Sequence, residues 1–280
     1  MREGLTREAI GEALRFVREN AAFVAITAAI GAGALALVSL IASSSPALTI
    51  LALVAPGLVQ ALIYTALMAG ALYSAQSARS AAAQSGLRVW LAMAVIGFFL
   101  FIVFVVVGLP VMIALAAGPM GPYVPDLQAA GQDQQAVLAI MIRFAEENPM
   151  ALFAAALFLT GVWMLLTSRL YLSAPATLDQ GRILTFETWS WTKGATLRIT
   201  GARLLLLLPA NILAGALGHV VGRTMGVNTM DMSAIAAAVQ TNPAGMLITA
   251  FAANFFSLAL FSALEAGLSA ALYKRMKPQA

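Results

Sequence analysis

One glutamate interrupts the last long apolar run of this chain. It is Glu265, in "FFSLALFSALEAGLSAALYKR". The next charged residue, Lys274, lies nine positions on, which is roughly 13 Å along a helix. An ionisable group that deep in a membrane helix is costly, so it faces a partner or water. Two chemistries fit it: a proton or cation relay, and direct contact with a substrate. Two structural roles fit it too: half of an ion pair, or a protonated acid hydrogen-bonded inside a bundle. Arg169, at the end of an earlier apolar run, is the preferred partner, and Arg203 is next.

A second group of residues lies in "FETWSWTKGATLR", residues 186–198. Thr185 suits the N-cap of a short helix and Gly194 its left-handed end. Ile183, Phe186 and Trp189 then fall on neighbouring turns. Lys193, four after Trp189, is expected against its ring. Trp191, four after Glu187, faces elsewhere. Trp189, Trp191, Lys193 and Arg198 are therefore candidate interfacial or binding residues. Either the segment anchors the chain at a membrane boundary, where tryptophan and basic residues collect, or it grips a lipid headgroup or a protein partner.

Little else suggests chemistry. His219 is the only histidine and has no ligand set nearby, and cysteine is absent, so no metal site or cofactor is expected. No nucleophile elbow, P-loop or HExxH pattern occurs, and no span carries a carboxylate pair. The chain is read as non-enzymatic. Asp126, Asp133, Glu146 and Glu147 sit in a solvated stretch as ordinary surface charges.

The elements that must position these residues are membrane spans. The chain has 280 residues, 61% hydrophobic and only 10% charged, against about 25% charged in a soluble domain. Its apolar residues come in charge-free runs of about 20 or more, the length a bilayer core demands. Six spans are expected, at about 21–42, 47–74, 88–117, 150–172, 198–222 and 244–272. Together they make an all-α bundle, with residues 1–280 as a single polytopic domain. Pro56–Gly57 and Gly108 with Pro110 mark two kinks. "SSSP" (43–46) reads as a tight turn, 75–87 as a polar stretch and 118–133 as a loop. Thr6 is expected to cap an amphipathic surface helix in which Ile10, Leu14 and Val17 repeat at helical spacing. "QQAVLAIMIRFAEEN" and "DMSAIAAAVQ" read as two more, each followed by Asn-Pro, a cap with proline at the first helical position. In span five Ala210, Ala214, Gly218 and Gly222 recur every four residues, followed by Gly226. That small-residue row suits close helix packing, within the bundle or between copies in a homo-oligomer. The first apolar run is too long for a cleavable signal.

Six spans place both termini on one side, and fourteen of the sixteen basic residues fall there. Only Arg143 and Arg223 fall on the other. The positive-inside rule makes the rich side cytoplasmic. The basic balance is thus directed at anionic lipid, not nucleic acid.

The stretch 169–201, "RLYLSAPATLDQGRILTFETWSWTKGATLRITG", resembles a pattern in bacterial six-span proteins described as YciC-like or as glycerophosphoryl diester phosphodiesterase membrane-domain-like. In that pattern an arginine ends span four, a small-Pro turn follows, and Ser-Trp-x-Leu-Thr-Arg-Gly leads to a basic residue and span five. Here Arg169, Ala174–Pro175, Thr188 to Gly194 and Arg198 correspond. Thr stands for Ser, Trp191 for Leu and Lys193 for Arg. The resemblance implies a bacterial inner-membrane protein and implies little chemistry. The phosphodiesterase activity of some relatives is not carried over. Two functions are expected on these grounds. The first is a non-enzymatic role through lipid or protein contacts at the cytoplasmic face. The alternative is a small-solute or lipid transporter that uses Glu265 and Arg169, for which a polar cavity between spans four, five and six would be the sign.

Overall fold

The computed structural model describes residues 4–43 and 49–278, and every regular element among them is helical. Six helices are long and apolar enough to cross a membrane, so this is a multi-pass membrane protein. The chain runs α1 (Leu5–Glu19), α2 (Ala21–Ser43), α3 (Thr49–Leu72), α4 (Ala78–Ala117), α5 (Val124–Ala130), α6 (Gln134–Glu147), α7 (Pro149–Arg169), α8 (Ser173–Gln180), α9 (Thr188–Trp191), α10 (Thr196–Thr224), α11 (Met232–Thr241), α12 (Pro243–Phe256) and α13 (Ala263–Met276). The spans are α2, α3, α4, α7, α10 and the run from α12 to α13.

Several local expectations change. The turn placed at 43–46 lies outside the described residues beyond Ser43. The polar stretch 75–87 is mostly helix, because α4 begins at Ala78 and carries Arg79 and Arg88 in its first turns. Four alanines in "ARSAAAQSG" favour helix strongly enough to extend the span into the polar zone. Residues 118–133 contain a 3₁₀ turn, Gly121–Tyr123, and α5 instead of open loop. α1 is capped at Gly4 and not by the side chain of Thr6, which lies within the helix. Pro56 and Pro110 both sit inside continuous helices.

The chain forms two compact units, one from residues up to 95 together with 168 onward, the other from residues 96–167. In the second unit, Asp133 caps α6 by accepting from the amides of Gln135 and Ala136. α7 starts at Pro149 directly after Asn148, as expected, and the Asn148 Nδ2 donates back to the Phe144 carbonyl at 3.2 Å and to the Tyr123 hydroxyl at 3.2 Å. Arg143 bonds Asp126 and lies over the Tyr123 ring.

In the first unit α2, α3, α10, α12 and α13 pack as a bundle, and α1 lies along α13. Small residues allow that contact. A Cβ on Gly267 would come within 3.0 Å of the Ala13 backbone, so the two helices touch where neither carries bulk. Bidentate bonds from Arg275 to Glu12, at 2.9 and 2.7 Å, fix the end of the same pair. Ala210, Ala214, Gly218 and Gly222 are buried. They face α12 of the same chain: a Cβ on Gly218 would lie 3.3 Å from Ala253, and one on Gly222 3.1 Å from Thr249. Gly226 is past the helix, at φ +75°. The sequence allowed for packing between copies, but this row is used within the bundle. Asn242 does cap α12, accepting from the Gly245 amide at 3.0 Å.

Candidate functional site

Span six is not one uniform helix. Between α12 and α13, residues Ser257–Ser262 form a π-helical turn. Such turns are rare, carry a less favourable hydrogen-bond ladder than an α-helix and collect at functional positions. Glu265 follows within one turn, and its side chain stands between two different environments.

On one side everything is filled. The Arg203 guanidinium lies 4.7 Å above the Tyr171 ring and donates to the Ser168 hydroxyl at 3.0 Å. Thr200 donates to that hydroxyl at 2.9 Å. The Tyr171 hydroxyl donates to the backbone carbonyl of Glu265 at 3.3 Å. Leu172, Leu184, Ile199, Leu268 and Leu272 close the packing around this network.

On the other side is a cavity of about 420 Å³. It lies between α2, α3, α4 and span six, and its floor includes the π-helical turn. Gln60 and Tyr64 reach it from α3, Trp90 from α4, and Asn254, Ser257 and Glu265 from span six. The Tyr64 hydroxyl is 3.1 Å from that of Ser269. Asn254 donates to the Ala250 carbonyl at 2.9 Å, which leaves its side-chain oxygen without a partner among the described residues. Gln60, Met93 and Ala94 line the cavity and are exposed. Glu265 is partly exposed and lines this cavity. Among the described residues its carboxylate has no hydrogen bond and no ion pair within 4.0 Å; the nearby positive field is that of Arg203. The cavity therefore presents one acid, no base, two amides and three aromatic rings.

Arg169 is not the partner of Glu265. Its guanidinium stacks 4.9 Å over the Trp189 ring and donates to Thr196 at 3.4 Å. It takes the place on Trp189 expected for Lys193, which is exposed. The physical reason is reach: Arg169 ends α7 beside the tryptophan, whereas the helix expected to carry Lys193 toward it ends at Trp191 after one turn. Thr185 caps nothing with its side chain; its carbonyl accepts from Ser173 at 2.9 Å and Thr188 at 3.0 Å. Gly194 does adopt φ +79°, the left-handed end that lets α10 start afresh. Trp191 packs inward, with its ring centroid 6.3 Å from that of Tyr273. Arg198 is exposed. The hydroxyls of Ser173, Thr177, Thr188 and Thr192 hold the whole segment together; Thr192, for example, donates to the Arg169 carbonyl at 2.8 Å.

The remaining candidates are structural. His219 Nδ1 lies 2.7 Å from the Thr229 hydroxyl. Among the described residues no cluster of His, Asp or Glu is arranged to hold a metal. The space next to Glu265 involves spans one, two, three and six. Gln60 and Asn254 carry a signal in the sequence, as amides inside otherwise apolar runs, whereas Trp90 carries none.

Compared with protein-family models, with curated proteins and with solved structures, the chain has no match in any of the three.

Proposed function

We propose that this protein is a membrane carrier that takes a small polar solute into the cavity between spans one, two, three and six, with Glu265 as the group that holds it. The observation carrying this reading is an acid with no partner among the described residues, lining a 420 Å³ cavity at a π-helical turn. A purely structural glutamate in a bilayer is closed off by a donor or a counter-charge, whereas solute sites in transporters lie near the membrane midplane at interrupted helices. The cavity has a volume typical of small-molecule sites. No catalytic step is part of this reading.

The resemblance of residues 169–201 supports a bacterial inner membrane as the location, and the basic asymmetry supports cytoplasmic termini facing anionic lipid. Lys193, Arg198 and the exposed Leu197 support headgroup contact at that face, where the Trp segment acts as an anchor. A contact role for this face in a homo-oligomer or with a protein partner is the second reading, favoured by the same exposed residues.

The chain has no cysteine, so Gln60→Cys supplies a lone thiol in the cavity wall. In sealed liposomes with oriented protein, this thiol is expected to react with a membrane-impermeant cationic reagent added from either side in turn. A thiol silent from both sides, yet reactive after unfolding, overturns the carrier reading.

A further inference from the structure

The chemistry of the cavity wall selects among solutes, and we infer that the ligand is a compact organic ammonium, its charge on Glu265 and its substituents against the rings of Trp90, Tyr64 and Phe261. The inference rests on the carrier reading and deepens it.

Charge gives the first constraint. Glu265 is the only acid in the wall, and the wall contains no lysine, arginine or histidine. The groups that face Glu265 from neighbouring elements are Arg203 on α10, Tyr171 after α7 and Tyr64 on α3. Arg203 is already engaged by Tyr171 and Ser168 and makes no ion pair with Glu265 within 4.0 Å. Burial disfavours a bare carboxylate, so a cation is the ligand that holds Glu265 ionised, while an anion would be repelled by it in a medium that screens little.

The second constraint is the rest of the wall. A bare metal ion takes several oxygens in one tight shell. Here the oxygens are dispersed between aliphatic chains and aromatic rings, and no acidic cluster is present among the described residues. Rings beside a carboxylate suit a cation whose charge is wrapped in carbon, since π-faces attract such groups once they leave water. Gln60, Asn254 and Ser257 add hydrogen-bond sites for a polar substituent on the same molecule. Gly57 keeps the space open: a Cβ there would meet only Trp90 Nε1, at 3.5 Å.

The experiment is equilibrium binding to full-length protein in lipid nanodiscs. The probes are choline, n-butylammonium and 3,3-dimethylbutan-1-ol, the neutral counterpart of choline. At least one of the two cations is expected to bind saturably, and the alcohol about tenfold or more weaker. Glu265→Gln and Trp90→Leu are each expected to weaken the cation by about tenfold or more, and Gly57→Leu to block it by filling the space, with thermal midpoints near that of the parent. Midpoints identify any variant that has lost its fold, and Gly57→Leu then tests the site without touching Glu265. Equal binding of cation and alcohol, or no binding of either cation while Gln60→Cys remains reactive, overturns the ammonium inference and leaves the carrier reading standing. A silent Gln60→Cys removes both.

Discussion

Span six has two faces, and they are built on opposite principles. Toward α1, α8 and α10 the helix is packed solid. Gly267 meets Ala13 backbone to backbone, Tyr273 is 1% exposed, and Arg203 lies over the Tyr171 ring and donates to Ser168. At the level of the π-helical turn the side toward α3 and α4 leaves Asn254, Ser257, Ser262 and Glu265 on open space, while just beyond it Ala263 and Ala266 pack against Leu67, Met68 and Ala69 of α3. A bundle built only for stability would treat both faces alike, because an unmatched polar group away from water costs as much as a lost hydrogen bond. The difference separates scaffold from site: the filled face fixes where Glu265 stands, and the open face is left for a ligand to complete.

Substitution at the two glycines should separate the faces most strongly. Gly267→Leu drives a side chain into the backbone of α1, and overpacking of this kind costs about 1–3 kcal/mol or more. The expected result is an undocked α1, seen as new tryptic cleavage at Arg15 and Arg18. Gly57→Ala should leave both stability and cleavage unchanged, because its new methyl group meets only an ordinary contact. Equal sensitivity at the two positions would erase the distinction between the faces.

The charged groups give the next largest contrast. Arg203→Leu removes a charged donor from Ser168 and a cation from the Tyr171 ring, and should lower stability by about 2–3 kcal/mol. Glu265→Gln should lower it by less than about 1 kcal/mol, because its carboxylate has no donor to lose among the described residues. Thermal unfolding in one detergent compares the two. A Glu265→Gln protein that fails to fold, rescued by also removing Arg203, would make the pair structural.

The smallest effect concerns pH at the filled face. The Arg275 hydrogen bond holds the Glu12 carboxyl below its usual 4.5. A carboxyl lowered by folding stabilises the folded form above its unfolded value, and the stabilisation is lost as pH falls through the lowered one. α1 docking should therefore hold constant at neutral pH and weaken below about pH 4.5, by under ~1 kcal/mol, since the pair is partly exposed. Glu12→Gln should remove that acid-side slope, as measured by tryptic susceptibility across pH.

The spans were legible because twenty-residue apolar runs have few alternatives. Glu265 was legible because a charge stands out in such a run. Its surroundings were not. Whether Arg169 or Arg203 approaches Glu265 depends on helix rotation and on which arginine a nearby aromatic captures, and the sequence records neither. Trp189 took Arg169 and Tyr171 took Arg203, a choice made by packing. The π-helical turn leaves no mark in "SLALFS". The hydroxyl clamps at Ser173, Thr177, Thr188 and Thr192 lie in a segment read mainly for its tryptophans, and α8 was hidden because alanine, proline and threonine there serve burial instead of periodicity.

The central claim, that Glu265 divides a dry face from a wet one, is tested most directly by comparing two serines in the same bilayer. Ser257 lines the cavity, while Ser168 is fully buried beside Arg203. As single cysteines in liposomes, the account predicts that Ser257→Cys reacts with a hydrophilic thiol reagent and that Ser168→Cys does so only after unfolding. Equal rates at the two positions, or silence at Ser257→Cys, would contradict it.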